Sequence, residues 1–240
     1  LGRPDIGLST ASEMTDTMAL IADRTDLPVI MDADTGFGNA LNARRTMQSY
    51  ERAGASALQV EDQTYPKKCG HLSDKSLIPK EEMAGKIAAM ADARRHDTLI
   101  IARTDAIAVE GFDAAIDRAG SYIDAGADVL FIEAPRDSGE LSRIADTFKG
   151  RVPLLANMVE GGATPISSAT TLEDMGFDIV IFPGGIVRAL ARSAQDYYAS
   201  LKATGSNKAF SDRMHDFDGL NAAIGTPEML ALGKRFDGKS

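Results

Sequence analysis

A TIM-like (β/α)8 barrel of the α/β class is the fold this sequence predicts, and three observations predict it. Short β-branched runs recur along the chain, and most end in polar residues: "LPVIMDAD" (27–34), "SALQVED" (56–62), "TLIIARTD" (98–105), "VLFIEA" (129–134), "PLLAN" (153–157) and "IVIFPGG" (179–185). Helix-like stretches such as "NALNARRTMQSYERAG" and "GFDAAIDRAGSYIDAG" lie between them. Three connections, "RAGASAL", "DAGADVL" and "DMGFDIV", place a glycine where a helix would stop, two or three residues before a strand.

Continuous apolar runs bounded by polar residues suit strands buried on both faces, as parallel sheets require. A helix–Gly–strand repeat about every 25 to 30 residues reads as successive βα units. An open doubly wound sheet would also be satisfied by six strands, so the strand ends decide. Asp32, Asp34, Glu61, Asp62, Arg103, Asp105, Glu133 and Asn157 sit at the C-terminal ends of successive strands. A barrel gathers such ends at one mouth, where active sites are built. The first one or two strands of the barrel are expected before Leu1.

Between "QVED" and "LIIARTD" the spacing stretches to about 40 residues, and the excess is the polar loop "QTYPKKCGHLSDKSLIP". A long polar loop at a barrel mouth is more often a lid than filler. "VRALARSAQDYYASLKATG" reads as the closing helix. The expected organisation is a single barrel domain over 1–240, with a helical tail at 205–240.

The composition narrows the partners. With 240 residues and 44% hydrophobic content the chain can bury one substantial core. A formal net charge of −9 argues against nucleic acid, which calls for a basic patch. It offers no polybasic segment to an anionic membrane, and no run approaches the roughly 18 apolar residues of a spanning helix. A single cysteine makes no internal disulfide, so a reducing compartment, the cytoplasm, is expected.

"DADTGFG" (32–38) sets two carboxylates at alternate positions of a strand end, which sends both side chains to one side. Asp32 and Asp34, with Glu61 from the next strand, could address one hard cation such as Mg²⁺. Alternatively, these acids cap the following helix or pair with basic side chains. A dinucleotide reading of "GFGNAL" fails, because Leu41 replaces the third glycine and two aspartates would repel a pyrophosphate. Gly36 and Gly38 are instead expected to turn the backbone tightly beside a ligand. Arg103 either neutralises the acids or binds a substrate carboxylate bidentately, and Glu133 and Asn157 face the same choice. His96 and His215 lie among charged residues and read as solvated.

Cys69 stands beside Lys67 and Lys68 and two residues before His71. Adjacent cations favour thiolate, and a thiol tuned near neutrality can act as acid, base or nucleophile. The plainer alternative is an exposed thiol with no role. Cys69 and His71 are too few for a zinc site.

"KKCGH" resembles the signature loop of the isocitrate lyase/phosphoenolpyruvate mutase superfamily. "DADTGFG", "EDQTYPKKCGH", "ARTDA" and "NMVEGGATP" follow in that family's order, from Leu1 to about residue 200. The resemblance implies a modified (β/α)8 barrel, a homotetramer whose subunits exchange a C-terminal helix, and a Mg²⁺ cofactor with Mn²⁺ as the alternative. It implies that Asp34 coordinates the ion most directly, that Asp32 and Glu61 act through bound waters, and that Asp5 in "GRPDIG" completes the acid set. It implies that Cys69 is the acid–base residue of a gating loop, assisted by Lys67 and His71. Arg103, Glu133, Asn157 and Gly70 would contact substrate or its reacting oxygens.

Lyases of this family split a 2-hydroxy di- or tricarboxylate into a 2-oxo acid and a second carboxylate. Gln59 in "QVEDQ" and Lys68 in "KKCGH" depart from the "HIEDQ" and "KRCGH" of methylisocitrate lyases, and "NMVEGGATP" is closer to the dimethylmalate lyase and oxaloacetate hydrolase branches. The mutase branch lacks the cysteine loop. The family's "SGG"-type substrate loop is expected just before Leu1. Oxaloacetate hydrolysis to oxalate and acetate, and a binding barrel without turnover, are the competing functions.

Overall fold

Extended chain alternates its side chains between two faces, and here that alternation separates a helix-covered core from an interior lined at one end by charge. The computed structural model describes residues 2–70, 74–162 and 164–237. They divide into two compact units, Leu1–Pro183 and Gly184–Ser240.

In the first unit six strands form one sheet: β1 (Ile30–Asp32), β2 (Ala57–Glu61), β3 (Leu99–Thr104), β4 (Val129–Ile132), β5 (Leu154–Asn157) and β6 (Ile179–Ile181). All neighbouring pairs are parallel, in the order β1-β2-β3-β4-β5-β6. A doubly wound sheet reverses its order at a switch point. Unbroken sequential order is that of a barrel wall, and the fold is a TIM-like α/β barrel wall as expected.

Helix α1 (Ala11–Ala22) precedes β1. The crossovers are α2 (Ala40–Arg52), α3 (Lys80–Ala93), the single turn α4 (Ala106–Val109) with α5 (Phe112–Asp124), α6 (Ser138–Phe148) and α7 (Ala169–Met175). Met31, Leu58, Val60, Ile100, Leu130 and Leu154 point outward and pack with Met47, Met83, Ile87, Tyr122 and Phe148 of the helices. Residues of opposite parity, Ala57, Ile101, Val129, Phe131 and Leu155, form a second cluster with Ile179 and Ile181 on the inner face. The three glycines expected to stop helices, Gly54, Gly126 and Gly176, all take left-handed φ values of 97°, 108° and 107°.

Parity also corrects one expectation. Asp62 shares the register of Leu58 and Val60, so it faces the helices and not the mouth. Its Oδ2 accepts from Thr104 Oγ1 at 2.7 Å and Tyr122 OH at 2.8 Å, and its Oδ1 accepts the Asp105 amide at 3.0 Å. Arg118 Nη1 lies 3.4 Å from Oδ2 and donates to Ile78 O at 3.0 Å. The same acid therefore anchors the foot of the long loop. There the Ile78 amide donates to Asp62 O at 2.9 Å, the Thr64 amide to Ser76 O at 2.8 Å, and Gln63 bridges Leu77 antiparallel.

The second unit carries α8 (Gly185–Thr204), a 3₁₀ helix (Asn207–Arg213), α9 (Phe217–Ala223) and α10 (Thr226–Lys234). Tyr197 stacks edge-on against buried Phe210, and its hydroxyl donates to Asn207 Oδ1 at 2.9 Å. Phe217, Leu230 and Phe236 are exposed. Among the described residues no helix is long and apolar enough to cross a membrane.

Removing Arg118 leaves the buried Asp62 carboxylate hydrogen-bonded but without its paired cation. Arg118→Met is expected to lower the unfolding free energy by about 3 kcal/mol. The measurement is a lower urea midpoint at unchanged m-value.

Candidate active site

The inward parity that buries Ala57, Ile101 and Phe131 carries on at the strand ends as Asp32, Gln59, Glu61, Arg103, Glu133 and Asn157. Register sets Asp32 beside Gln59, Glu61 beside Arg103, and Arg103 beside Phe131. The Arg103 guanidinium lies 5.1 Å from the Phe131 ring centroid, an apolar floor that also attracts its charge.

The acids do not cap the next helix. That role belongs to Asn39, whose Oδ1 accepts the Leu41 and Asn42 amides. Gly36 and Gly38 turn the chain against α2, since a Cβ on either would stand 3.0 Å from Ala43 Cβ or 2.4 Å from Asn42 Oδ1. The tight turn thus brings this segment into close contact with α2. Asp34 takes a left-handed φ of 45°, and its amide donates to Asp32 Oδ1 at 2.9 Å. A non-glycine residue held there is a local strain of the kind that active sites retain.

Lys67 is buried, at 4% side-chain exposure, and reaches the acids. Its Nζ lies 2.6 Å from Asp5 Oδ1, 3.1 Å from Asp34 Oδ1 and 4.0 Å from Asp32 Oδ2. Burial works against that ammonium, but Asp32, Glu61 and Asp34 outweigh it and hold its pKa above the usual lysine value. Burial pushes the Asp34 carboxyl up, Asp32 adds to the push, and Lys67 opposes it. The Cys69 amide donates to Asp5 O at 3.2 Å, so the cysteine loop and "PDIG" meet beside this cluster. Lys68 turns away and donates to Asp74 O at 2.9 Å. His71 lies outside the described residues. A cavity of about 290 Å³ opens on Asp5, Asp32 and Asp34.

Glu61 is fully buried, and neither of its oxygens has a hydrogen-bond partner. Arg103 Nη1 stands 3.3 Å from Oε2, yet burial still pushes the Glu61 carboxyl up to about 8. Asp105 is held tightly: Arg103 Nε donates to Oδ2 at 2.9 Å, and Oδ1 accepts from Arg103 Nη2 at 3.1 Å and Lys75 Nζ at 2.8 Å. Burial raises its pKa, but Arg103 and then Lys75 bring it below the ordinary aspartate range. On β5, Asn157 Nδ2 donates to Glu133 Oε2 at 3.2 Å, while Asn157 Oδ1 is buried without a partner. Gly70 closes over this group. A Cβ there would stand 2.5 Å from Arg103 Nη2 and 2.6 Å from Glu133 Oε1.

The donor set fits a hard cation. Asp5, Asp32, Asp34, Glu61, Asp105 and Glu133 gather around only Lys67, Lys75 and Arg103 among the described residues. Buried oxygens without partners, like those of Glu61, are rare and call for an occupant. Among the described residues no three acids, histidines or cysteines converge to encircle a metal alone.

The structure thus brings together Asp5, Asp32, Asp34 and Lys67, and beside them Glu61, Arg103, Glu133, Asn157 and Gly70. Sequence reading missed Lys75 altogether and gave Asp105 and Gln59 no role. For Gln59 and Asp105 the signal was there, since both share the parity of Glu61 and Arg103. Lys75 left none, because its partner lies 30 residues away.

Residues 1–202 match the family described as phosphoenolpyruvate phosphomutase. A 2,3-dimethylmalate lyase of Eubacterium barkeri is 43% identical over 94% of this chain and 78% of its own length. This chain belongs to the phosphoenolpyruvate mutase/isocitrate lyase superfamily. Within the superfamily, a 2-methylisocitrate lyase of Aeropyrum pernix is 46% identical over 90% of the chain and 69% of its own. The chain is an enzyme of the superfamily's lyase class, as these relatives are named.

Among solved members of the superfamily, 2,3-dimethylmalate lyase superposes with a TM-score of 0.92 and 33% identity, covering 100% of this chain and 81% of that one. Oxaloacetate acetylhydrolase, bound to 3,3-difluorooxalacetate, gives 0.92 at 29% identity, covering 100% and 82%. Phosphonopyruvate hydrolase in complex with oxalate and Mg²⁺ gives 0.84 at 32%, covering 97% and 81%.

Two outcomes follow from the geometry. Glu61 titrates near 4.5 when unfolded and about 8 when folded, so the native state binds the extra proton between these values. In EDTA, stability should fall as pH rises through that window, and Glu61→Gln should flatten the fall, read by denaturant melts across pH. Gly70→Ala puts a methyl onto Arg103 and Glu133, and should cut turnover about 100-fold with little change in melting temperature.

Proposed function

We propose that this enzyme is a Mg²⁺-dependent carbon–carbon lyase. Its substrate would be a 2-hydroxy di- or tricarboxylate of the 2,3-dimethylmalate or 2-methylisocitrate kind. Its products would be a 2-oxo acid such as pyruvate and a second carboxylate. One observation carries the reading: the Cys69–Gly70 segment sits directly on Arg103 and Glu133, beside the acid cluster of Asp5, Asp32 and Asp34.

Asp34 would hold Mg²⁺ directly, and Asp32, Glu61 and Asp5 would hold it through its waters. When bound, the ion supplies Lewis acidity to the oxygens of the 2-oxo-acid half. Mn²⁺ has the same ligand taste.

Arg103 donates through Nε and Nη2 to Asp105 and stands beside Glu61 through Nη1, so its remaining Nη hydrogens would meet a substrate carboxylate. Asn157, oriented by Glu133, offers its amide to the same ligand. Lys67 neutralises the acids around it and keeps the Cys69 strand attached to Asp5. As the C2–C3 bond breaks, the 2-hydroxyl would give up its proton and its oxygen become the 2-oxo group. The electron pair of the bond stays on the departing carboxylate fragment and takes up the Cys69 proton; the proton released from the hydroxyl, carried by water, would restore the thiol. The Cys69 loop shields that fragment from water. The exposed apolar residues of the second unit suit a homotetramer with an exchanged tail, and a cytoplasmic enzyme suits the single free cysteine.

Superposition on oxaloacetate acetylhydrolase over the whole chain favours one second reading, hydrolysis of oxaloacetate to oxalate and acetate.

Purified protein incubated with dimethylmalate, methylisocitrate, isocitrate and oxaloacetate separates these readings. Mg²⁺-dependent pyruvate, lost in EDTA, is the expected result, and Cys69→Ser should lower kcat about 1000-fold. Oxalate from oxaloacetate alone selects the hydrolase. No product from any of the four overturns both.

A further inference from the structure

Lys75 is buried at 2% side-chain exposure, which lysine tolerates only when paired. Its ammonium has two partners that belong to different parts of the site. It donates to Gly70 O at 2.5 Å, the carbonyl directly after Cys69. It also donates to Asp105 Oδ1 at 2.8 Å, the oxygen that accepts from Arg103 Nη2 at 3.1 Å.

Asp105 cannot follow the loop if the loop moves. Its amide is fixed on Asp62 Oδ1 at 3.0 Å, and its other oxygen is fixed by Arg103 Nε at 2.9 Å. Asp62 is itself held from behind by Thr104 and Tyr122. One ammonium therefore spans a rigid wall and the cysteine-bearing segment.

We propose that Lys75 is a positioning residue. Its buried ammonium sets where Cys69 stands relative to Arg103 by tying the Gly70 carbonyl to the Asp105 carboxylate. This assignment rests on the lyase reading for its catalytic meaning, but its structural content does not. Without Lys75, Arg103 keeps its two bonds to Asp105, so binding of a substrate carboxylate survives. The Gly70 carbonyl loses this donor, and the thiol leaves its register over the mouth. The signature is a loss in kcat with KM nearly constant.

The lone cysteine makes a single-site readout. Iodoacetamide alkylation of Cys69, followed by intact mass without substrate, reports the position of the segment even if the parent cleaves nothing. Lys75→Met keeps the length and burial of the side chain. It should alkylate about tenfold faster than the parent and turn over the lyase substrate about 100-fold more slowly. In Lys75→Ala, tens of millimolar ethylammonium should slow alkylation back toward the parent rate, which a loss of general stability would not allow.

Alkylation in Lys75→Met within about twofold of the parent would overturn the proposal. So would faster alkylation that appears only with a lowered melting temperature and resists the amine in Lys75→Ala. A parent protein without turnover on any of the four acids would sink the lyase reading, and the alkylation rates would still decide the role of Lys75.

Discussion

The pairing of Arg103 with Asp105 holds the interior together. Glu61, Asp105 and Glu133 come from three different strand ends and all lose water. Arg103 lies against each of them, with Phe131 beneath. Isolated charges in such a place are far too costly, and a bidentate guanidinium is the side chain whose donor fork can serve several acceptors at once. Asp105 then passes that fixation on, backward to Asp62 and forward to Lys75. The wall, the mouth and the cysteine segment are thus one connected set of polar bonds. Each link is short and buried, so displacement of one member is felt by the others.

Much of this was legible in the order of residues. All six apolar runs became strands, because β-branched, mostly apolar stretches are compatible with burial on both faces. Gly54, Gly126 and Gly176 marked helix ends, since only glycine enters the left-handed region without penalty. Asp32, Asp34, Glu61 and Arg103 were found by their place at strand ends.

What escaped was direction and distance. Glu61 and Asp62 are neighbours in the chain, yet one enters the mouth and the other the helix layer. Nothing in an acidic pair states its parity until Val60 is known to face outward. Lys67 read as a neighbour of the thiol, whereas its long stem carries the charge away to Asp5 and Asp34. Four rotatable bonds erase local adjacency for a lysine head group. Asn39 took the cap that the aspartates offered by sequence, because it stands at the helix start while Asp32 ends the strand and Asp34 lies in the turn after it.

The long excursion after β2 leaves and rejoins the wall through one small joint: Asp62 to Ile78, Thr64 to Ser76, and Gln63 to Leu77. Its two ends meet at almost one point, so the barrel carries it as a board carries a plug-in module. Insertions between Gln63 and Leu77 cost little in closure entropy, which grows only with the logarithm of length. Evolution can therefore rewrite the chemistry above the mouth by exchanging this cartridge, provided the replacement still answers the charges of Asp34 and Asp105.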